Sequence, residues 1–286
     1  STGQRNTVLG YQAFNTATEL DSNVAIGYKA LFAASGSAGS TGNIMVGDLA
    51  GTAITTGKHM VMIGDRSGAQ TTTATENTFM GYFAGYTNKS GSSNTFIGAH
   101  SGYSFANASQ ARNTYVGAYS GYYNQTGTFN VYMGYQAGYG ASGNSHNNNV
   151  GIGKDALKVA TTGGSNVAVG KGSGDAINTG TENVLVGQDS GGALTIGTLY
   201  SQNSDSNNED TLNIAIGFQA GYYNVTGKGN VYVGSAAGTG ASGQSHSGNI
   251  GIGARALGVV STGGENIAIG TDALGAVTTG QENTVV

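Results

Sequence analysis

Ser22-Asn23-Val24-Ala25-Ile26-Gly27, Asn94-Thr95-Phe96-Ile97-Gly98 and Asn266-Ile267-Ala268-Ile269-Gly270 are three settings of one phrase. It reads Asn, β-branched, variable, aliphatic, Gly. Fifteen copies end on a glycine between Gly10 and Gly270, and a sixteenth begins at Asn283. The commonest spacing between successive glycines is 17, with 20 once, 19 three times and 30 once. Residues 121–170 and 221–270 also align without a gap at an offset of 100, most plainly in GASGNSHNNNVGIG and GASGQSHSGNIGIG. The array grew partly by copying blocks of several units.

Each position of the unit has a physical task. The residue three before the motif glycine is always Thr, Val or Ile, and the residue one before is Leu, Ile, Val or Met. Alternation with β-branched bias predicts a short strand with one buried face. We expect those two residues on the inside and the variable central residue outside. A glycine at every strand end predicts a bend with positive φ or a close backbone approach. Three residues later only Ala or Ser occurs, as in Ala13, Ala84, Ser101 and Ala220, which predicts tight packing. A second turn, often Thr-Gly as in Thr56-Gly57 and Thr279-Gly280, lies about eight residues before the motif glycine.

A unit this short cannot bury its own apolar side and must stack on its neighbours. Helical repeats need about 34 residues or more and are excluded. The expected fold is all-β: a parallel β-solenoid, or β-roll, of about fifteen coils of 17 residues. Residues 1–286 form a single array, with a loop insertion at 192–212. Coils spaced by about 4.8 Å would make a rod of roughly 70 Å. Asn23, Asn94, Asn113, Asn130, Asn166, Asn183 and Asn266 belong to a row of asparagines broken only at Met60. A polar residue on one corner of every coil predicts a stacked amide ladder.

Composition narrows the classes. The 286 residues include 52 Gly and no Pro, Cys or Trp; 9% are charged, 38% are hydrophobic, and the net charge is −4. Collagen, disulfide scaffolds and cysteine-based metal sites are excluded. Charge-driven disorder is disfavoured. No apolar run approaches the roughly 18 residues of a membrane span. With 11 Lys+Arg there is no electrostatic footprint for nucleic acid. Gly151-Ile152-Gly153 and Gly251-Ile252-Gly253 lack the helix and acidic partner of a dinucleotide loop. No Ser–His–Asp arrangement stands out, so no enzyme, cofactor or metal site is expected. His146 and His246, in duplicated Ser-His turns, are read as solvated turns. A set of three symmetry-related copies on an axis is the alternative for an ion. His59 and His100 are read as isolated. Glu76, Glu182, Glu265 and Glu282 are read as solvated corner charges.

The phrase from Ser22 to Gly27, followed by Ala30, resembles the N-S-V-A-I-G-x-x-[SA] repeat of trimeric autotransporter adhesin heads, the YadA-like head. The longer Asn-Thr-x-x-Gly-Tyr-x-Ala-Gly phrase is similar to repeats of phage tail fibres and related bacterial fibres. The resemblance implies a β-roll, wound left-handed, with three chains side by side, on a cell surface or virion. It implies attachment rather than catalysis. The adhesin period is shorter than the one here. The chain reads as one segment of a longer fibre.

A small coil supplies only modest burial. If Phe79, Phe96, Tyr115, Tyr132 and Tyr232 lie outside, with Leu31, Leu157, Leu257 and Leu274 beside them, exposed apolar rows mark an interface. A homotrimer would cover them. Receptor-binding candidates are Tyr82, Tyr86, Tyr103, Tyr119, Tyr122 and Tyr123, within an aromatic block that also holds Phe83, Phe105 and Tyr135, and Tyr200 and Asp205 in the insertion. Aromatic faces stack on sugars, and hydroxyls bond sugar hydroxyls. Packing of the same rings between coils or across a trimer is the plainer expectation. The function expected is a structural or adhesive fibre segment, with itself and a surface glycan or host receptor as partners. The alternative is an ice-binding solenoid using the Thr rank from Thr56 through Thr73, Thr126, Thr162, Thr179 and Thr226 to Thr279. Thermal hysteresis well above that of an inert protein would favour it.

Overall fold

The computed structural model describes residues 3–15, 20–34, 41–106, 111–143, 145–194 and 212–286. The chain is an all-β parallel solenoid of about fifteen turns, with no helix among the described residues. It divides into two compact units, Ser1–Ser145 and His146–Val286. The first carries the strands from β1 (Thr7–Leu9) to β8 (Val131–Met133). The second carries those from β9 (Val150–Ile152) to β16 (Thr284–Val285). Within each unit, strand pairs with following strand in parallel and equivalent residues align. Thr95, Phe96 and Ile97 face Thr114, Tyr115 and Val116 in one unit; Val167, Ala168 and Val169 face Val184, Leu185 and Val186 in the other. The gap of 30 residues does not disturb this register. Val184 and Leu185 pair directly with Ile214 and Ala215. Tyr200 and Asp205 lie outside the described residues, as does most of the 192–212 insertion.

The motif glycine shows both properties expected of it. Its φ runs from +127° to +141°, a region that favours glycine. A Cβ on Gly98 would also lie 2.6 Å from the carbonyl carbon of Gly117 in the next coil. The glycines form a column in which each backbone occupies the space a neighbour's side chain would need.

The side-chain assignment within the strand is the reverse of the expected one. Phe79, Phe96, Tyr115, Tyr132 and Tyr232 are fully buried, as are Leu31, Leu157 and Leu257. The flanking β-branched and aliphatic residues are the ones that face outward, half-exposed or exposed. In a three-residue strand, alternation fixes which residues share a face but not which face is inside. Here the core takes the central residue.

That core has a rule of reciprocal volume. The residue four after the motif glycine is held at positive φ and points at the central strand residue. Where that residue is aromatic, the position is glycine: a Cβ on Gly121 would sit 2.4 Å from the Tyr115 ring, and one on Gly138 2.4 Å from that of Tyr132. Where the central residue is Ala25, Gly151 or Gly251, the position is Leu31, Leu157 or Leu257, at φ 51°, 51° and 55°. The leucine fills the volume the small residue vacates.

A third core position lies seven after the motif glycine, where Ile54, Phe105, Ile177 and Leu194 are buried. Asn124 also occupies it, donating from Nδ2 to the Tyr115 hydroxyl at 2.8 Å. The duplicated coil keeps the equivalent Asn224 and Gly221 but has Ala215 in place of the tyrosine. It leaves a small cavity lined by Leu185, Gly191, Leu194, Asn213, Ala215, Gly221, Asn224 and Tyr232. Ala215→Val, which adds two methyl groups to that space, is therefore expected to stabilise the fold by about 1 kcal/mol through added apolar burial. Gly121→Leu, which puts a side chain into the Tyr115 ring, is expected to destabilise it by at least that amount. Urea midpoints of the two variants, moving in opposite directions, check the rule.

Two polar rows bind the coils. The asparagine Oδ1 atoms accept from the backbone N–H of the equivalent residue one coil on, as Asn77 Oδ1 does from Asn94 at 2.8 Å and Asn43 Oδ1 from Met60 at 3.1 Å, and usually from the next asparagine's Nδ2 as well. Nδ2 of Asn77 donates onward to the Gly91 carbonyl at 2.7 Å. The same pattern joins Asn149, Asn166 and Asn183 in the second unit. Where Ser replaces Ala after the motif glycine, its hydroxyl donates to the carbonyl of the next coil's central residue. Ser67 bonds Phe79 at 3.0 Å, and Ser173 bonds Leu185 at 3.0 Å. A buried hydroxyl is thereby satisfied at a position that tolerates only small residues.

Candidate binding face

The aromatic block becomes a surface because equivalent turn positions stack coil on coil. Positions five after the motif glycine carry Tyr86, Tyr103, Tyr122 and Tyr139. Their ring centroids are 5.3, 5.0 and 5.2 Å apart and their planes tilt by 11°, 5° and 11°. Positions two after it carry Phe83, His100 and Tyr119, stacked at 5.6 and 5.1 Å. The two ladders lie against each other through tilted contacts such as Phe83–Tyr86 at 4.8 Å. Tyr123 stands edge-on to Tyr122 at 4.6 Å. All these rings are half-buried.

The structure brings Tyr82, Tyr86, Tyr103, Tyr119, Tyr122 and Tyr123 onto this one face. It removes Phe105, which is buried against Phe96. It adds His100, which is a rung of the inner ladder and not an isolated residue. Nothing in the residues flanking His100 marked it; only its place two after Gly98, shared with Phe83 and Tyr119, could have found it. Burial lowers its pKa, and its Nδ1 is buried without a hydrogen bond. Burial, followed by the neighbouring phenols, pushes the Tyr122 hydroxyl up to about 12, so it keeps its proton across the physiological range.

His146 and His246 are not solvated turns. Both are buried, and burial takes each pKa down to about 4. His246 fills the core of its coil and meets the Tyr232 hydroxyl through Nδ1 at 2.8 Å. That hydroxyl donates to Asn230 Oδ1 at 3.1 Å, so Nδ1 of His246 is the donor to it and Nε2 carries no proton. His246 thus performs for Tyr232 what Asn124 performs for Tyr115: it satisfies a phenol buried in the core. Among the described residues no group of three His, Asp or Glu side chains is placed to hold a metal ion.

The corner charges Glu76, Glu182, Glu265 and Glu282 are exposed, at φ between 57° and 61°. The Thr rank at Thr56, Thr73, Thr126, Thr162, Thr226 and Thr279 is also exposed, with Thr179 half-buried. Beside it, Thr55 and Thr72 use their hydroxyls on coil-to-coil bonds to Thr72 O at 3.2 Å and Lys89 O at 3.0 Å.

The outward strand residues make a second surface. In the second unit, Ile152, Ile216, Ile252 and Ile269 line one side of the strand and are exposed. Val150, Val184, Ile214 and Ile250 line the other, half-exposed. In the first unit Met80 and Met133 are exposed in the corresponding row. Comparison with protein-family models, curated protein sequences and solved structures finds no significant match.

Proposed function

We propose that the chain is a structural and adhesive segment of a trimeric fibre on a cell surface or virion, giving length and stiffness while displaying a binding face. The observation that carries this reading is the ordered aromatic face between Tyr82 and Tyr139. It is a recognition surface set on a scaffold whose coils, within the unit, are hydrogen-bonded one to the next. The likeness to autotransporter heads and phage fibres points the same way. The trimer rests on different residues from those first expected, since the aromatic strand rows are core. Its support is the outward aliphatic rows on the strands of each unit, with Ile152, Ile216, Ile252 and Ile269 exposed in the second and Met80 and Met133 in the first; contiguous apolar rows of this kind mark association surfaces.

Light scattering of the folded chain is expected to give three times the 28.5 kDa monomer mass. A monomer mass would remove the trimer. Saturable binding on a glycan array is the expected sign of adhesion. Absence of binding to every glycan and host-surface preparation tried would leave a spacer.

A further inference from the structure

Tyr82 and Tyr135 hold the same place in their coils, directly after Gly81 and Gly134, and the two coils between carry Ala99 and Ala118 there. Both tyrosines are exposed, by 48% and 45%. Tyr82 stands at 83° to Phe83 and 89° to His100, and Tyr135 at 79° to Tyr119. The ladder rings stack along the coil axis. The perpendicular tyrosines therefore have planes that run along that axis, and both rings are exposed. Two aromatic plates result, three coil steps or ~14 Å apart, with alanines between them and ladder ring edges alongside. Residues 81–86, 98–103, 117–123 and 134–139 include no Asp, Glu, Lys or Arg.

We propose that this shelf binds a neutral, straight, equatorially linked pyranose polysaccharide, of the cellulose or chitin kind, lying along the coil axis. The inference rests on the adhesive reading and names its ligand class. In such a chain each sugar ring advances by nearly one coil step, so successive sugars meet equivalent protein positions. The C–H faces of the terminal sugars in the site stack on Tyr82 and Tyr135. Their equatorial hydroxyls reach the phenols along the ladder. Arg66, at the edge of the shelf, lies over the Phe83 ring at 5.3 Å and is paired with Asp65 at 3.3 Å, so an anionic glycan gains little there; a helical or branched one leaves the shelf after one coil.

Isothermal titration of the full chain with cello- and chito-oligosaccharides of increasing length tests this. Affinity is expected to climb until about four sugars span the two plates and then to level off. Tyr82→Ala and Tyr135→Ala are each expected to weaken binding of the hexasaccharide about tenfold while leaving the thermal midpoint unchanged, since both rings lie outside the core. Affinity independent of length, or variants that bind as the parent does, would overturn the proposal. Binding on an array only to charged or branched glycans would overturn it too, while the adhesive reading stands. Loss of self-association in the variants without any oligosaccharide binding would assign the shelf to a contact between copies and overturn it as well.

Discussion

Gly98→Ala is expected to cost the fold about 3 kcal/mol or more, enough to lower the urea midpoint sharply. Two effects add. At φ +128° the backbone sits where an L side chain is strained. The new methyl would also lie 2.6 Å from the Gly117 carbonyl carbon, an approach that requires neighbouring coils to part. Parting them stretches the strand pairing of Phe96 with Tyr115 and the bond from the Asn113 N–H to Asn94 Oδ1 at 3.1 Å. Gly270→Ala separates the two effects. Its φ is +127°, yet its Cβ would meet only the Ala273 methyl, at 4.0 Å. That variant should lose roughly 1–2 kcal/mol, the conformational part alone. Equal losses in the two variants would show that stacking of the glycine column contributes nothing.

Acid is expected to unfold the chain earlier than its carboxylates alone would cause. The sign follows from the histidines. In the unfolded chain His146 and His246 titrate near 6.5. In the folded chain burial holds both at about 4. Between those values the unfolded state binds protons that the native state refuses. Stability is therefore full above pH 6.5 and falls as pH drops toward 4, by about 3 kcal/mol for each histidine at the lower end. A proton on His246 has only Nε2 to go to, a buried atom with no hydrogen-bond partner. Thermal midpoints measured from pH 7.5 to 4 should decline across this window. His246→Gln should remove part of the slope while leaving the rest to His146. A flat profile between pH 6.5 and 4.5 would show that the histidines are reached by solvent.

The repeat made the architecture readable. The spacing of 17, the alternating strand residues and the glycine at the bend together require a stacked coil. The Asn row, too, is visible as a position before any coordinates are considered. The candidate face was readable only as a block of aromatic residues. Whether Tyr86, Tyr103, Tyr122 and Tyr139 form a row depends on their common offset from the motif glycine, and that offset has meaning only once the coils stack in register. His100 and Tyr135 join the same surface for the same reason. Phe105 leaves it because a two-residue difference in offset places it inside the coil, against Phe96.

The side of the strand that faces the core was not readable. Thr95 and Ile97 are as apolar as a small core requires, and Phe96 reads equally well as an outer aromatic. Tertiary structure decides between them by volume. A central residue directed inward meets the position four after the motif glycine, and in most coils the two exchange size, Tyr115 with Gly121 and Gly151 with Leu157; where both are small, as at Ala168 and Gly174, side chains of neighbouring coils such as Leu185 and Ile177 close in. The sequence by itself determined the period, the bends and the polar ladder, because each is a local requirement repeated in every unit. Only the folded chain decided which residues fill the core and which rings meet at the surface, because those depend on what lies one coil away.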